Sequence, residues 1–308
     1  TSAAVEAGED ASAAMAARGA LREMSWRLLA VNPAAVGDDE ELAPFEAILI
    51  MPPGMDEEDE AAAEGVECEK HGLIVIPHGG PHSVTPTVFV PSYAFLAIET
   101  NCAVLHVNYR GSIGFGRAPL NTLPGKCGSQ DVADMVTATK AALAMCDESI
   151  DPERVAVVGG SHGGFLGAHL IGQHPELYKV PGLRNPVTNI ASMAGVTDIP
   201  DWCHIEAKGL GSYDFNSYLP ADAESLGVMF SKSPAAHVAN VKSPCLLAVG
   251  AKDLRVPPSQ SVEYYQTLRA KGVPARMLMY PEDSHPLDRP ATEANHWLNI
   301  AAWIEHHM

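Results

Sequence analysis

Gly159-Gly160-Ser161-His162-Gly163 places a serine between small residues, directly after the β-branched apolar run Val155 to Val158 and before Phe165 to Ile171. An apolar run of that length reads as a buried strand, and the following stretch reads as a helix. Strand, sharp glycine-flanked turn and helix are the context in which a serine hydroxyl is lifted clear of a sheet as a nucleophile. Its position at a helix N-terminus also favours negative charge beside it. A glycine-rich turn with an incidental serine is the plain alternative, and the strand before and helix after it argue against that.

A serine hydroxyl at neutral pH needs a general base, and the base needs an orienting acid. With a strand–turn–helix nucleophile, the expected chain order is serine, acid, histidine, each following a strand. Asp253 fits the acid: it lies in Gly250-Ala251-Lys252-Asp253, directly after the apolar run Leu246 to Val249. Asp198 and Asp201 fall in an irregular stretch, and Asp283 and Asp288 lie too near the best histidine to come from a separate strand. That histidine is His285, in a turn after Met277 to Pro281; His296, His306 and His307 fall in a terminal helix and are expected on the surface.

Developing negative charge on the substrate needs two N–H donors. The backbone N–H of His162, next after the serine, is one expected donor. The second should come from a loop after an early strand, and His78-Gly79-Gly80-Pro81-His82 is such a loop. Pro81 has no N–H, so Gly80 is the expected donor.

The elements that would hold these residues alternate. Strands are expected at Leu73 to Ile76, Cys102 to Val107, Val155 to Val158, Pro244 to Val249 and Arg276 to Tyr280. Helices are expected near Ser92 to Glu99, Gln130 to Met145, Ser259 to Lys271 and Ala291 to His306. This predicts an α/β fold with a mostly parallel sheet and helices on both faces. Trp26 to Val31 and Phe45 to Met51 read as an antiparallel pair at one edge. Residues 1–20 read as a tail or linker, 52–70 as an acidic loop, and 182–237 as a weakly patterned insertion above the sheet's carboxyl edge.

The 308 residues carry a formal net charge of −18, of which residues 1–70 contribute −13. That balance argues against nucleic acid or anionic membrane as partner. The spacing of a calcium loop is absent from the acidic run, and neither a metal nor another cofactor is expected. The six cysteines are scattered without close pairs, no signal peptide is visible and no apolar run reaches membrane-spanning length; reduced thiols in the cytoplasm are expected. The first residue, Thr1 rather than Met, suggests a processed chain or a fragment.

Longer motifs carry a resemblance. Val158 to Phe165, Arg184-Asn-Pro-Val-Thr-Asn-Ile-Ala-Ser-Met193, Thr197-Asp-Ile-Pro-Asp-Trp-Cys203, His78 to His82, Val107 to Gly116 and Asp253-Leu-Arg-Val-Pro257 together resemble the acylaminoacyl-peptidases (acylpeptide hydrolases), a branch of the prolyl oligopeptidase family of serine peptidases. The resemblance runs from about Leu21 to the end and implies a cytosolic α/β-hydrolase that releases an N-acylated amino acid from short peptides. It implies Ser161, Asp253 and His285 as the triad, Gly80 and His162 as oxyanion donors, and Arg255 as the arginine that contacts the substrate backbone. Family members also carry an N-terminal β-propeller, for which residues 1–70 are far too few. The expected partners are short N-acylated peptides, with a homo-oligomer left open. A broad carboxylesterase of the same fold, or a weakly active or non-catalytic interaction protein on that scaffold, are the competing readings.

Overall fold

The computed structural model describes residues 16, 18–33, 44–55, 70–216 and 221–308. Most of the tail expected at 1–20 and the acidic run at 56–69 lie outside the described residues; a short helix over 18–23 straddles the expected boundary at residue 20.

Eight strands form one sheet: β1 (Ser25–Val31), β2 (Phe45–Met51), β3 (His71–Pro77), β4 (Cys102–Asn108), β5 (Ile150–Gly160), β6 (Val180–Arg184), β7 (Cys245–Gly250) and β8 (Ala275–Tyr280). Their spatial order is β1-β2-β4-β3-β5-β6-β7-β8. The β1–β2 and β2–β4 pairs are antiparallel and all the others parallel. The expected edge pair is therefore present. Strand β6 was not anticipated: Val180-Pro-Gly-Leu-Arg184 has no continuous apolar run. Its neighbours β5 and β7 supply the partners that a sequence window cannot see.

The helices that matter here are α1 (Pro91–Glu99), α2 (Gln130–Met145), α3 (His162–Gln173), α4 (Pro200–Lys208), α5 (Ala223–Ser231), α6 (Ser259–Ala270) and α7 (Pro290–His307). Side chains alternate across a strand, so one strand feeds two cores. Leu73 and Val75 of β3, with Val155 and Val157 of β5, join the core that also contains Met135 of α2 and Leu166 of α3. Ile74, Ile76, Ala156 and Val158 join the opposite core, with Leu96 of α1 and Trp297, Ile300 and Ile304 of α7. Both faces are thereby covered, which explains why the central strands are apolar throughout rather than alternating.

The expectation that His296 is a surface residue is corrected: it is 1% exposed. Residues 296, 300 and 304 follow at helical spacing on the inner stripe of α7, so the histidine lies against the sheet with Ile300 and Ile304. His306 is exposed, as expected. The five described cysteines, Cys102, Cys127, Cys146, Cys203 and Cys245, are buried.

Burial also sets a pH dependence. It holds His106 and His169 neutral, with pKa lowered to about 3, and His78 and His296 lowered to about 4. Unfolded, each binds a proton near pH 6.5. Between pH 6.5 and about 4 the unfolded chain therefore binds more protons, so stability falls as pH falls. Each group costs about 1.4 kcal/mol per pH unit once well below 6.5. Urea unfolding at pH 7 and pH 5.5 should register a loss of a few kcal/mol. His106→Phe, filling similar space against Tyr93, should flatten the slope by about 1 kcal/mol per pH unit.

Candidate active site

Strand β5 delivers the chain to Ser161, and α3 begins at the next residue. Ser161 has φ 59° and ψ −123°, a conformation that costs a non-glycine residue about 1–3 kcal/mol. Two backbone bonds hold it there: its N–H donates to Arg184 O at 3.0 Å, and its carbonyl accepts the N–H of Phe165 at 2.9 Å. The flanking glycines are steric requirements. A Cβ on Gly159 would strike the carbonyl of Gly163, and one on Gly163 would strike the carbonyl of Pro77.

Asp253 and His285 are 32 residues apart in sequence and are brought together by the turns after β7 and β8. His285 Nδ1 lies 2.7 Å from Asp253 Oδ2. A carboxylate only accepts, so Nδ1 carries the proton of this bond. The other oxygen, Asp253 Oδ1, accepts the N–H groups of Arg255 and Val256, both at 2.9 Å. Asp253 is buried, while the His285 side chain is 27% exposed. Ser161 and His285 both line a cavity of about 480 Å³, together with Gly79, Gly80, Val187, Met193, Ile199, Trp202, Arg255 and Val256.

Sequence reasoning missed Asn185, which ties these turns together. Its amide oxygen accepts the N–H of Gly250 at 2.9 Å, and its amide nitrogen donates to His285 O at 2.9 Å. The clue was present in the Arg184-Asn185-Pro186 run, but no local pattern reports a bond spanning 100 residues.

Gly80 lies at the cavity wall with φ +122°. Its carbonyl accepts Trp202 Nε1–H at 2.9 Å, which clips α4 onto the glycine loop. A second clip is His82, whose Nδ1 lies 2.7 Å from Gly111 O and whose Nε2 lies 3.2 Å from Glu206. The Glu206 carboxylate raises the pKa of His82.

The backbone N–H of His162 opens α3 and has no acceptor within the helix. Its side chain points inward, with Nε2 3.0 Å from Asp131 Oδ2 and both groups fully buried. Asp131 Oδ1 accepts the N–H groups of Gly128 and Val132 at 2.8 and 3.0 Å. Cys127, Asp131 and His162 bring donor atoms within 4.8 Å of one another. The Asp131 oxygens are already occupied, and burial raises the pKa of the Cys127 thiol well above normal. The cluster has the chemistry of a hydrogen-bonded core rather than a set of free ligands.

Arg255 also lines the cavity. Its guanidinium forks onto Asp198, Nε to Oδ1 at 2.9 Å and Nη2 to Oδ2 at 3.3 Å. Asp198, one of the sequence alternatives for the acid, is thus paired with Arg255, whereas Asp253 meets the histidine.

The sequence profile of the prolyl oligopeptidase family matches residues 89–308. Acylamino-acid-releasing enzyme of Arabidopsis thaliana is 45% identical over 262 residues, covering 85% of this chain and 32% of that enzyme. The Mus musculus enzyme of the same name is 41% identical over 288 residues, covering 93% of this chain and 37% of its own. The chain therefore spans about a third of the length of these relatives. Among solved structures, Pyrococcus horikoshii acylaminoacyl peptidase superposes with a TM-score of 0.77 at 21% identity, covering 93% of this chain and 42% of its own. The sheet order, the turn at Ser161 and these matches lead to one conclusion: the chain has the α/β-hydrolase fold and belongs to the prolyl oligopeptidase family.

Proposed function

We propose that the chain is a serine exopeptidase that releases an N-acylated amino acid from the N-terminus of short peptides through an acyl-enzyme. Ser161 Oγ attacks the scissile carbonyl, and His285 Nε2 takes its proton. Asp253 holds the imidazole in the required tautomer and stabilises the imidazolium that forms. The N–H groups of Gly80 and His162 receive the developing oxyanion. His285 then protonates the leaving amine, and water repeats the sequence to free the acylated residue.

One observation carries the substrate side of this reading. The cavity holding Ser161 and His285 is walled by Val187, Met193, Ile199, Trp202 and Val256, with Arg255 as its charged member and no carboxylate in the wall. Asp198 already balances the Arg255 charge, so the wall offers no unpaired carboxylate to hold a peptide ammonium, whereas an acylated terminus is neutral and offers a second carbonyl to the guanidinium. The apolar wall suits the side chain of the residue being released. The relatives' printed name, acylamino-acid-releasing enzyme, describes the same chemistry.

Among the described residues no helix is long and apolar enough to cross a membrane. The buried thiols of Cys102, Cys127, Cys203 and Cys245, outside any disulfide, support a reducing compartment, the cytoplasm. For a homo-oligomer, β1 supplies a sheet edge with Trp26 and Leu28 exposed.

Ser161→Ala should lower turnover of an acetyl-alanyl anilide by roughly three to six powers of ten and abolish labelling by a fluorophosphonate probe. Label on a different serine would disprove the assignment. Arg255→Ala should cost about 1.5–3 kcal/mol in kcat/KM for acetylated peptides, the range of a charged hydrogen bond, and distinctly less for a simple aryl ester. Equal losses on both, with a lower melting temperature, would mean that Arg255 only holds its turn through Asp198. Ester turnover without peptide turnover in the wild-type chain would favour the carboxylesterase.

A further inference from the structure

Arg184 ends β6 beside the nucleophile, its carbonyl accepting the N–H of Ser161. Its guanidinium stacks on the ring of Trp297 in α7, 4.6 Å from the centroid. The Nε atom is buried without a hydrogen-bond partner. Among the described residues no carboxylate is within ion-pair distance of it; Glu293, exposed in the first turn of α7, bears on it only at longer range. Arg184 is partly buried; the fully buried Arg110 shows what is missing, since Asp134 forks onto it at 2.7 Å.

A cation partly withdrawn from water without a counter-charge is costly. Stacking on an indole offsets part of that cost. Burial accordingly lowers the pKa of Arg184. An anion entering beside it would relieve this cost.

Space for one exists. Arg184 lines a cavity of about 220 Å³ with His78, Gly79, Thr85, Tyr93 and Gly160. Gly79 lines both this cavity and the one holding Ser161 and His285. Arg184 Nη2 lies 3.2 Å from where a Cβ on Gly160 would stand, one residue before the nucleophile. The larger cavity, with its apolar wall and Arg255, already suits the acylated residue. In the proposal that follows, the smaller one takes the other side of the scissile bond. Helix α7, on which Arg184 stacks, directly follows the loop carrying His285, the group that hands a proton to the leaving amine.

We infer that Arg184 forms a carboxylate subsite for the leaving residue, so that the substrates served best are acylated dipeptides whose second residue has a free C-terminal carboxylate. This rests on the hydrolytic reading above. In an α-amino acid one carbon separates amine from carboxylate, so the carboxylate lies next to the bond being cut. A longer peptide carries its charge farther away and presents an uncharged amide here.

The test compares kcat/KM for acetyl-alanyl-alanine and for its C-terminal amide, with acetyl-alanyl p-nitroanilide as an independent measure of hydrolysis. The wild-type chain should prefer the free acid by about tenfold or more, the range of a charge-assisted hydrogen bond. Arg184→Gln should erase that preference, and Arg184→Lys should restore part of it. Anilide cleavage with equal rates on acid and amide overturns the subsite while leaving the hydrolytic reading intact. A preference for the acid that survives in Arg184→Gln overturns it as well. No cleavage of any of the three substrates removes both. Should Arg184→Gln fail to fold, the wild-type ratio of acid to amide decides by itself.

Discussion

The structure around the site depends on one strained residue. Ser161 holds a positive φ that an isolated chain would abandon, and it does so because three strands meet around it. Strand β6 accepts its N–H through Arg184, while β3 closes on α3 so tightly that Gly163 has no room for a side chain against Pro77. The strain of about 1–3 kcal/mol is small beside the burial of both sheet faces, so the core can sustain it. The consequence is coupling: anything that separates β3 from β6 relaxes the serine, and β3 leads into the loop that carries Gly80 while β6 ends on Arg184.

Three histidine–carboxylate pairs radiate from that turn, and burial distinguishes what each can do. Asp253–His285 pairs a buried acid with a partly exposed ring whose orientation the acid fixes, the arrangement that the proposed reaction requires. Asp131–His162 is closed off entirely; its value is positional, since it anchors the side chain of the residue whose N–H opens α3. Glu206–His82 lies between these extremes, with a buried acid and a ring 32% exposed, and it fixes the far end of the glycine loop. Neutral, desolvated His78 packs under the same loop against Tyr109 and gives it a rigid base. Preorganised donors on such a base avoid the reorganisation that water would need as charge develops.

The parts legible in the sequence were those with local causes. Ser161 could be read because its strand, flanking glycines and helix are contiguous, and Asp253 and His285 because each follows its own apolar run. Strand β6 escaped because proline and glycine interrupt five residues, and its status comes from pairing with β5 and β7. Helices α4 and α5 escaped because their apolar residues face the rest of the insertion as much as the main core. Asn185, Trp202 and Asp131 act through bonds to partners 31 to 122 residues away, and single-sequence periodicity is silent about such bonds. His296 was misjudged for a different reason: polarity outweighed its place on the stripe shared with Ile300 and Ile304.

The two arginines beside the nucleophile differ in solvation, and that difference matters more than their shared charge. Arg255 is about half exposed and already paired with a similarly exposed Asp198. Such a pair is worth only about 0–1 kcal/mol, so a substrate carbonyl can replace the aspartate at little cost. Among the described residues Arg184 has no carboxylate partner and its Nε is buried, so under the proposed subsite an arriving anion has no carboxylate to displace. The chain as a whole is strongly acidic, with a net charge of −18, and repels anions at a distance. That repulsion is screened beyond about 8 Å at physiological salt, whereas a desolvated guanidinium acts at contact. Recognition of a carboxylate at this site therefore has to be local, and it is set by where the charge sits on the substrate rather than by how much charge the substrate carries.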